Sequence, residues 1–248
     1  MAESAGIKIE VHSSREALNR AVAAWFADTI TRRIKKIGVA HVCLSGGKTP
    51  QELYRLLAAE YSDKIPWEKV HCYWGDERYV PPTDPNSNFR AAYELLFQHV
   101  SIQPENVHPM PTGFEDPELA AADYERALRE QFDGPLPEFD VVLLGMGADG
   151  HTASLFPGSH SLEETERWVV AVSGAPEPRI RLSLTLPVFN AAANVVFMVA
   201  GAEKADAARI AIESRPNPAA IPASGVRPVA GSVTWMLDED AARLLESS

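Results

Sequence analysis

The sequence FDVVLLGMGADGHTASLFPG, residues 139–158, begins as an apolar run and continues as a glycine-rich loop with one acid and one imidazole. A short apolar run bounded by glycine predicts a buried strand. Glycines let the backbone approach a ligand closely and expose its N–H groups. Because the loop after a strand of a parallel α/β sheet delivers side chains to the ligand crevice, His151 is a candidate functional residue.

Strand and helix patterns alternate on both sides of this loop. One helix is predicted after a capping box formed by Ser13 and Glu16, with Gly38 as its C-terminal stop. The remaining strand patterns lie at residues 7–11, 39–44, 70–74, 168–172, 194–200 and 232–237. The alternation predicts an α/β protein with a mainly parallel, Rossmann-like sheet and helices on both faces, in one domain over residues 1–248.

Residues 45–50, SGGKTP, form a second glycine turn between a predicted strand and a predicted helix. Thr49 and Glu52 form a capping box, and Pro50 suits the first position of the helix. A helix N-terminus behind a glycine turn often holds a phosphate or carboxylate, so we predict an anion site, with a simple tight turn as the alternative. A nucleotide-binding P-loop is not supported, because Val42 stands where its first glycine belongs.

Charged residues mark three further places. Asp76, Glu77 and Arg78 follow the third predicted strand. Their position suits an active-site crevice, but a row of charges usually lies in a solvated loop, which is what we predict. Arg181 lies on one face of an alternating strand, and Lys204 lies in the first turn of a helix, where the helix dipole disfavours a cation. Each of these two cations is either solvated or close to a bound anion.

The composition is that of a soluble globular protein, with 46% hydrophobic and 23% charged residues. A formal net charge of −11 argues against a nucleic-acid-binding or acidic-membrane-binding surface, although a local cluster of cations can still hold a small anion. Cys43 and Cys72 lie in apolar runs without a metal-binding pattern, so we predict two buried thiols. No signal peptide or membrane span is predicted, and we expect a cytoplasmic protein.

Several chemistries compete for the first glycine-rich loop. Gly145, Gly147 and Gly150 match the dinucleotide fingerprint G-x-G-x-x-G, but Pro157 comes too soon for the long helix that should follow. Nucleophilic catalysis by serine lacks a G-x-S-x-G motif, and metal-dependent hydrolysis lacks a ligand cluster. General-base catalysis by His151 beside a separate anion site remains, with a purely structural histidine as its alternative.

Four segments, in their order and spacing, resemble the 6-phosphogluconolactonase family over nearly the whole chain. They are LSGGKTP at 44–50, WGDERYVP at 74–81, SN at 87–88 and GMGADGHTASLFPG at 145–158. The last of these motifs is highly specific. Two later segments, RLSLTLP at 181–187 and GAEK at 201–204, are also similar, with a mild departure in the side chains of the first.

The resemblance implies the fold of glucosamine-6-phosphate deaminase, ribose-5-phosphate isomerase and CoA transferases, without a metal or organic cofactor. It implies hydrolysis of 6-phospho-D-glucono-1,5-lactone to 6-phosphogluconate, the second step of the oxidative pentose phosphate pathway. His151 would activate water, and Asp149 would orient it or contact the sugar. The residues expected to hold the phosphate and the lactone are Ser45, Gly46, Gly47, Lys48, Thr49, Asp76, Arg78, Asn88, Gly147, Arg181 and Lys204. We expect a monomer whose partner is this phosphosugar, with no nucleic-acid or membrane partner.

Two other functions stay open. An amino-sugar phosphate deaminase/isomerase shares the fold and the phosphate loop, although its pattern differs at residues 76–78 and 149–151. A sugar-phosphate-sensing domain without catalysis also uses this fold. Against a sensor, the sequence has neither a DNA-binding segment nor a favourable charge.

Overall fold

The computed structural model of the chain describes residues 7–246. The strands are β1 (Ile7–His12), β2 (Ala40–Leu44), β3 (Val70–Trp74), β4 (Asp76–Arg78), β5 (Val141–Gly145), β6 (Val169–Val172), β7 (Arg181–Leu184), β8 (Asn194–Val199) and β9 (Ser232–Asp238). The helices are α1 (Arg15–Ile37), α2 (Lys48–Tyr61), α3 (Asn88–Leu95), α4 (Pro117–Gln131), α5 (Leu186–Asn190), α6 (Ala205–Glu213) and α7 (Glu239–Ala242). Short 3₁₀ segments connect several of these elements.

Six parallel strands form the main sheet, in the order β1-β9-β8-β5-β2-β3. Its central strands are buried along their length, and residues 141–144 and 195–199 are at most 1% exposed. Successive side chains of a strand point to opposite faces, so unbroken burial requires cover on both sides of the sheet. This arrangement confirms the predicted parallel α/β sheet.

The strand order creates a topological switch between β2 and β5. From β2 the chain crosses to β3 on one side, and it later returns to β5 on the other side of β2. The loops that leave the carboxyl ends of β2 and β5 therefore diverge, and open α/β sheets hold their ligands in such a crevice. These loops begin at Ser45 and Met146, in the two glycine-rich stretches of the sequence.

A second, antiparallel sheet has the order β4-β7-β6. It includes Asp76–Arg78, where we predicted a solvated loop, and that prediction is wrong. Arg78 lies opposite Arg181 in β7. Asp76 and Glu77 are 7% and 2% exposed, because hydrogen bonds from distant residues satisfy their carboxylates. Charge patterning along the chain does not reveal such partners.

Helix α1 ends where predicted but begins one residue later than expected. Ser14, rather than Ser13, is its cap, and the Ser14 hydroxyl accepts a hydrogen bond from the N–H of Ala17 at 3.2 Å. Gly38 ends the helix with φ 91°, and its N–H donates to the Ile34 carbonyl at 2.8 Å. The predicted glycine stop is confirmed, whereas the predicted capping box of Ser13 and Glu16 is wrong, because the adjacent Ser14 caps the helix.

Helix α2 begins earlier than the sequence pattern indicated. Its first residue is Lys48, behind Gly47, so Thr49 lies inside the first turn and does not cap the helix. The capping-box prediction is therefore wrong, and Pro50 is the third rather than the first helical residue. Because no side chain caps this helix, the N–H groups of its first turn remain free at the carboxyl end of β2.

Buried hydrophobic side chains of both sheets form one cluster. Phe197 and Trp235 stack within it at 3.9 Å between ring centroids. Cys43 and Cys72 are buried free thiols, as predicted. No helix within residues 7–246 has both the length and the apolar character of a membrane span. A single domain over residues 1–248 stays a prediction.

Candidate active site

A cavity of about 240 Å³ opens at the carboxyl ends of β2, β5 and β8. The predicted site residues that line it are Ser45, Gly46, Gly47, Lys48, Thr49, Asp76, Arg78, Gly147, His151 and Lys204. Asp149, Asn88 and Arg181 were also predicted as site residues, but they are not part of the lining. Apolar residues without a predicted role, among them Met146, Ala153 and Met198, complete the wall.

The turn after β2 brings backbone N–H groups and the start of α2 to the cavity. Lys48 begins the helix without a side-chain cap, so free N–H groups and the positive end of the helix dipole are available to an anion. The Tyr54 hydroxyl donates to the Ser45 carbonyl at 2.6 Å and fixes the turn. A Cβ on Gly46 would overlap the Asn88 amide. Asn88 therefore supports the turn instead of lining the cavity.

His151 and Asp149 form a hydrogen-bonded pair at the cavity. His151 Nδ1 lies 2.5 Å from Asp149 Oδ1, which also accepts from the His151 backbone N–H at 3.1 Å. Burial raises the pKa of the Asp149 carboxyl, but the hydrogen bonds and the charge of His151 lower it, so that the pKa lies below its usual range. An ionised carboxylate only accepts, so we assign the proton to Nδ1 and the lone pair to Nε2. In the described part of the chain, nothing hydrogen-bonds to Nε2.

Gly147 makes room for this pair. A Cβ on Gly147 would overlap the His151 ring and would stand 2.6 Å from Asp149 Oδ1. The N–H of Gly147 donates to the His151 carbonyl at 2.9 Å. Phe156 packs against the imidazole, with the two ring centroids 4.8 Å apart. A carboxylate, a close backbone and an aromatic ring thus fix the imidazole.

Two buried carboxylates support the part of the wall that β4 forms. Asp76 Oδ2 accepts a hydrogen bond from the Ser154 hydroxyl at 2.7 Å. Glu77 accepts bonds of 2.7–3.1 Å from the N–H groups of Arg78, Asn88 and Phe89 and from the Ser87 hydroxyl. Burial raises the pKa of Glu77, and the backbone hydrogen bonds oppose that rise. Glu77 thereby joins β4 to the start of α3.

Unpaired cations surround the cavity. Arg78 and Lys204 line it, and neither forms an ion pair with any residue from 7 to 246. Arg78 Nη1 donates to the Asn86 carbonyl at 2.8 Å. Arg181, which is 7% exposed, lies beside Arg78 and donates to the Pro176 carbonyl at 2.9 Å. Burial, and then the charge of Arg78, lower the pKa of Arg181. Positive charge is therefore concentrated at this point of an acidic protein.

Several supporting residues had no predicted role. Ser154 and Phe156 belong to the glycine-rich stretch, which was the only signal for them in the sequence. Glu77 could not be distinguished from its charged neighbours in the sequence, and Tyr54 could not be distinguished from the other residues on the buried face of α2. The sequence does not show the contacts of Ser154 and Tyr54, because their partners Asp76 and Ser45 lie outside their own segments.

The arrangement can bind an anion and move a proton at a neighbouring atom. Arg78, Lys204 and the start of α2 supply positive charge. An imidazole with a free Nε2, oriented by an ionised carboxylate, can take a proton from water near neutral pH. Residues 7–246 contain no group of three or more His, Cys, Asp or Glu side chains placed to bind a metal ion.

Comparison with known proteins identifies relatives over nearly the full length. Residues 13–235 match the family described as glucosamine-6-phosphate isomerases/6-phosphogluconolactonase. The 6-phosphogluconolactonase of Synechocystis sp. is 39% identical over 241 residues, which cover 96% of this chain and 98% of that protein. The 6-phosphogluconolactonase of Trypanosoma cruzi has a similar structure, with a TM-score of 0.87, 28% identity and 98% of each chain covered. A monomeric glucosamine-6-phosphate deaminase is also similar, with a TM-score of 0.80, 25% identity, and 96% of this chain and 99% of that chain covered.

Proposed function

The chain belongs to the family of glucosamine-6-phosphate isomerases and 6-phosphogluconolactonases, and we propose that it hydrolyses 6-phospho-D-glucono-1,5-lactone to 6-phospho-D-gluconate in the oxidative pentose phosphate pathway. The observation that carries this proposal is the His151–Asp149 pair beside a cavity lined by unpaired cations. The 39% identity to a named lactonase, over 96% of this chain, supports the choice of this activity.

In this proposal the substrate phosphate binds at the turn after β2. The free N–H groups of α2 and the side chains of Arg78 and Lys204 provide donors and charge for a dianion. Arg181 does not line the cavity, but it lies opposite Arg78 on the neighbouring strand and adds positive charge there. Binding energy from the phosphate, which does not react, positions the lactone carbonyl.

The chemical step uses His151 as a general base. Nε2 takes a proton from water as the water oxygen bonds to C1, and negative charge develops on the carbonyl oxygen. Backbone N–H groups at the cavity stabilise that charge. The bond between C1 and the ring oxygen then breaks, and the ring oxygen receives the proton from His151. Asp149 holds the imidazole and stabilises its protonated form. Because a δ-lactone is an activated ester, the reaction requires no covalent intermediate.

A deaminase/isomerase acting on glucosamine 6-phosphate is the second candidate. The similarity to the monomeric deaminase favours it, because the fold alone serves both activities. Both substrates carry a phosphate on C6, so the anion turn does not distinguish them. The difference lies in the reacting end of the sugar, where the lactonase must activate water.

Two substrates separate the candidates. At neutral pH, purified protein should consume fresh lactone far faster than its spontaneous hydrolysis, measured as acid release, and should release no ammonia from glucosamine 6-phosphate. Heat-inactivated protein gives the spontaneous rate. Ammonia release without faster lactone hydrolysis would assign the deaminase activity, and phosphosugar binding without either reaction would indicate a sensing domain.

The proposed compartment is the cytoplasm, and the two buried free thiols agree with a reducing environment.

We also propose that the protein is a monomer. Light scattering after size-exclusion chromatography should then give a mass near 27.1 kDa. About twice that mass would contradict the monomer.

A further inference from the structure

Lys204 reaches the cavity from a turn between β8 and α6. The turn consists of Gly201 and the 3₁₀ segment Ala202–Lys204. Lys204 lines the cavity, and its ammonium has no hydrogen-bond or ion-pair partner among the residues that the structure describes. The position of this ammonium therefore depends on the backbone that carries it.

Asp238, the last residue of β9, anchors that backbone. It is 5% exposed, and its two carboxylate oxygens accept a hydrogen bond from the Gly201 N–H at 3.0 and 3.1 Å. Oδ1 also accepts from the Ala241 N–H at 2.8 Å, at the start of α7. The pairing of β8 with β9 ends at Val199 and Leu237, so the carboxylate extends the connection between the strands beyond their last pair.

The charge of Asp238 also acts on Lys204. Burial lowers the pKa of Lys204, and Glu203 opposes this effect. The charge of Arg15 lowers the pKa of Lys204 further, whereas the charge of Asp238 raises it. A buried carboxylate at this place thus helps a half-buried ammonium to stay protonated.

We propose that Asp238 is a positioning residue for substrate binding, which holds Gly201 so that Lys204 reaches the cavity. The inference rests on the function proposed above, because it takes Lys204 as a ligand of the phosphosugar. The competing explanation is that Asp238 only caps α7. If Asp238 only capped α7, its loss would destabilise the fold, and any effect on binding would be the same with or without the Lys204 side chain.

A double-mutant cycle distinguishes these explanations. Asp238→Asn keeps the size of the side chain but leaves one acceptor oxygen and no charge. Binding of 6-phosphogluconate, measured by calorimetry, should weaken about fivefold in Asp238→Asn and about tenfold or more in Lys204→Met. The double variant should bind as weakly as Lys204→Met alone, because no ammonium remains to be positioned. In lactone hydrolysis, Asp238→Asn should raise KM and leave kcat within about twofold of wild type.

A second variant and a control complete the test. Asp238→Ser retains a good helix cap for α7 but loses the charged pair of oxygens at Gly201, so its binding should weaken like that of Asp238→Asn. The control is Asp140→Asn, because Asp140 is 4% exposed and accepts from the His41 N–H at 2.8 Å. Asp140 precedes β5, at the amino-terminal ends of the strands and away from the cavity, and its variant should bind as wild type does.

Two outcomes would overturn the positioning role. One is wild-type affinity in both Asp238 variants, and the other is a loss in Asp238→Asn that persists undiminished in the Lys204→Met background. Failure of the wild type to bind 6-phosphogluconate and to hydrolyse the lactone would contradict the proposed function itself. The two kinds of failure are therefore distinguishable.

Discussion

His151 lines the cavity, and Asp149 engages its Nδ1, so that Nε2 carries the lone pair. The carboxylate fixes the tautomer, and an imidazole fixed in this way needs no further rearrangement before it accepts a proton. Gly147 contributes to the same arrangement, because only a residue without a side chain lets His151 and Asp149 lie against the loop. The orientation of one ring thus depends on two residues that react with nothing themselves.

Gly147→Ala should damage catalysis more than binding. The added methyl group overlaps the His151 ring and must displace it. A displacement of about 1 Å near the reacting atoms costs about a hundredfold in rate, so we expect kcat to fall by at least about tenfold with little change in KM. Gly113→Ala is the control, because a Cβ there meets no atom within 4 Å. Unchanged kcat in Gly147→Ala would mean that the orientation of His151 is unimportant.

Arg78→Met should weaken substrate binding. Arg78 lines the cavity without an ion-pair partner in the described residues, so its charge is available to the phosphate. We expect KM to rise about tenfold or more, with a smaller change in kcat. The exposed Arg179, which is paired with Glu177, provides the control variant Arg179→Met. Equal KM values in the two variants would remove Arg78 from the binding site.

At the level of helices and strands, the features that were predicted correctly are encoded in residues adjacent in the sequence. The two glycine-rich loops and the Gly38 helix stop are local patterns, and the fold follows from the order of strands and helices. The start of α2 was misplaced because Thr49 and Glu52 formed a plausible capping box. The structure instead begins the helix at Lys48 and leaves its first N–H groups uncapped.

Contacts between distant residues were beyond local patterns. Ser154 donates to Asp76 across 78 residues, and Gly201 donates to Asp238 across 37 residues. For this reason β4 was predicted as a solvated loop, and Asp238 received no role at all. The residues proposed for the chemistry could be named from the sequence, whereas the contacts that place their side chains could not.

Three histidines, His41 in β2, His71 in β3 and the adjoining His108, should make the fold sensitive to acid. His71 Nδ1 lies 3.1 Å from His108 Nε2, and His41 Nδ1 lies 3.1 Å from the Tyr73 hydroxyl. Burial is the main cause that lowers the pKa of His41 and of His108 to about 4, and it also lowers the pKa of His71. The charges of the neighbouring histidines and of Arg33 lower the pKa of His41 further.

The sign of the pH effect follows from these lowered pKa values. Unfolded histidines bind protons near pH 6.5, whereas His41 and His108 in the folded protein bind them near pH 4. Stability should therefore fall as the pH decreases from about 6.5 to about 4, and this contribution should level off below that range. In calorimetry, His108→Gln should flatten the fall of Tm, and the exposed His99→Gln should not. Identical profiles for His108→Gln and wild type would contradict this explanation.

At the scale of the whole molecule, a parallel sheet brings separate pieces of the chain to one edge. The turn after β2, the loop after β5 and the turn after β8 all end at the same cavity. The net charge of −11 would repel an anionic substrate in general. The unpaired cations and the start of α2 create a local exception, so an anion should be favoured at this one place. Raising the ionic strength should screen that attraction.

The role of His151 as the base can be tested by the lactonase rate of His151→Ala on fresh 6-phosphogluconolactone, measured in a pH-stat and corrected for spontaneous hydrolysis. Binding of 6-phosphogluconate to the same variant shows whether the site is intact. His160→Ala is the control, because the His160 side chain is 100% exposed. We predict that kcat of His151→Ala falls by about 10²-fold or more, with product affinity within about twofold of wild type and with unchanged turnover in the control. Turnover close to that of wild type in His151→Ala would contradict the role of His151 as the base.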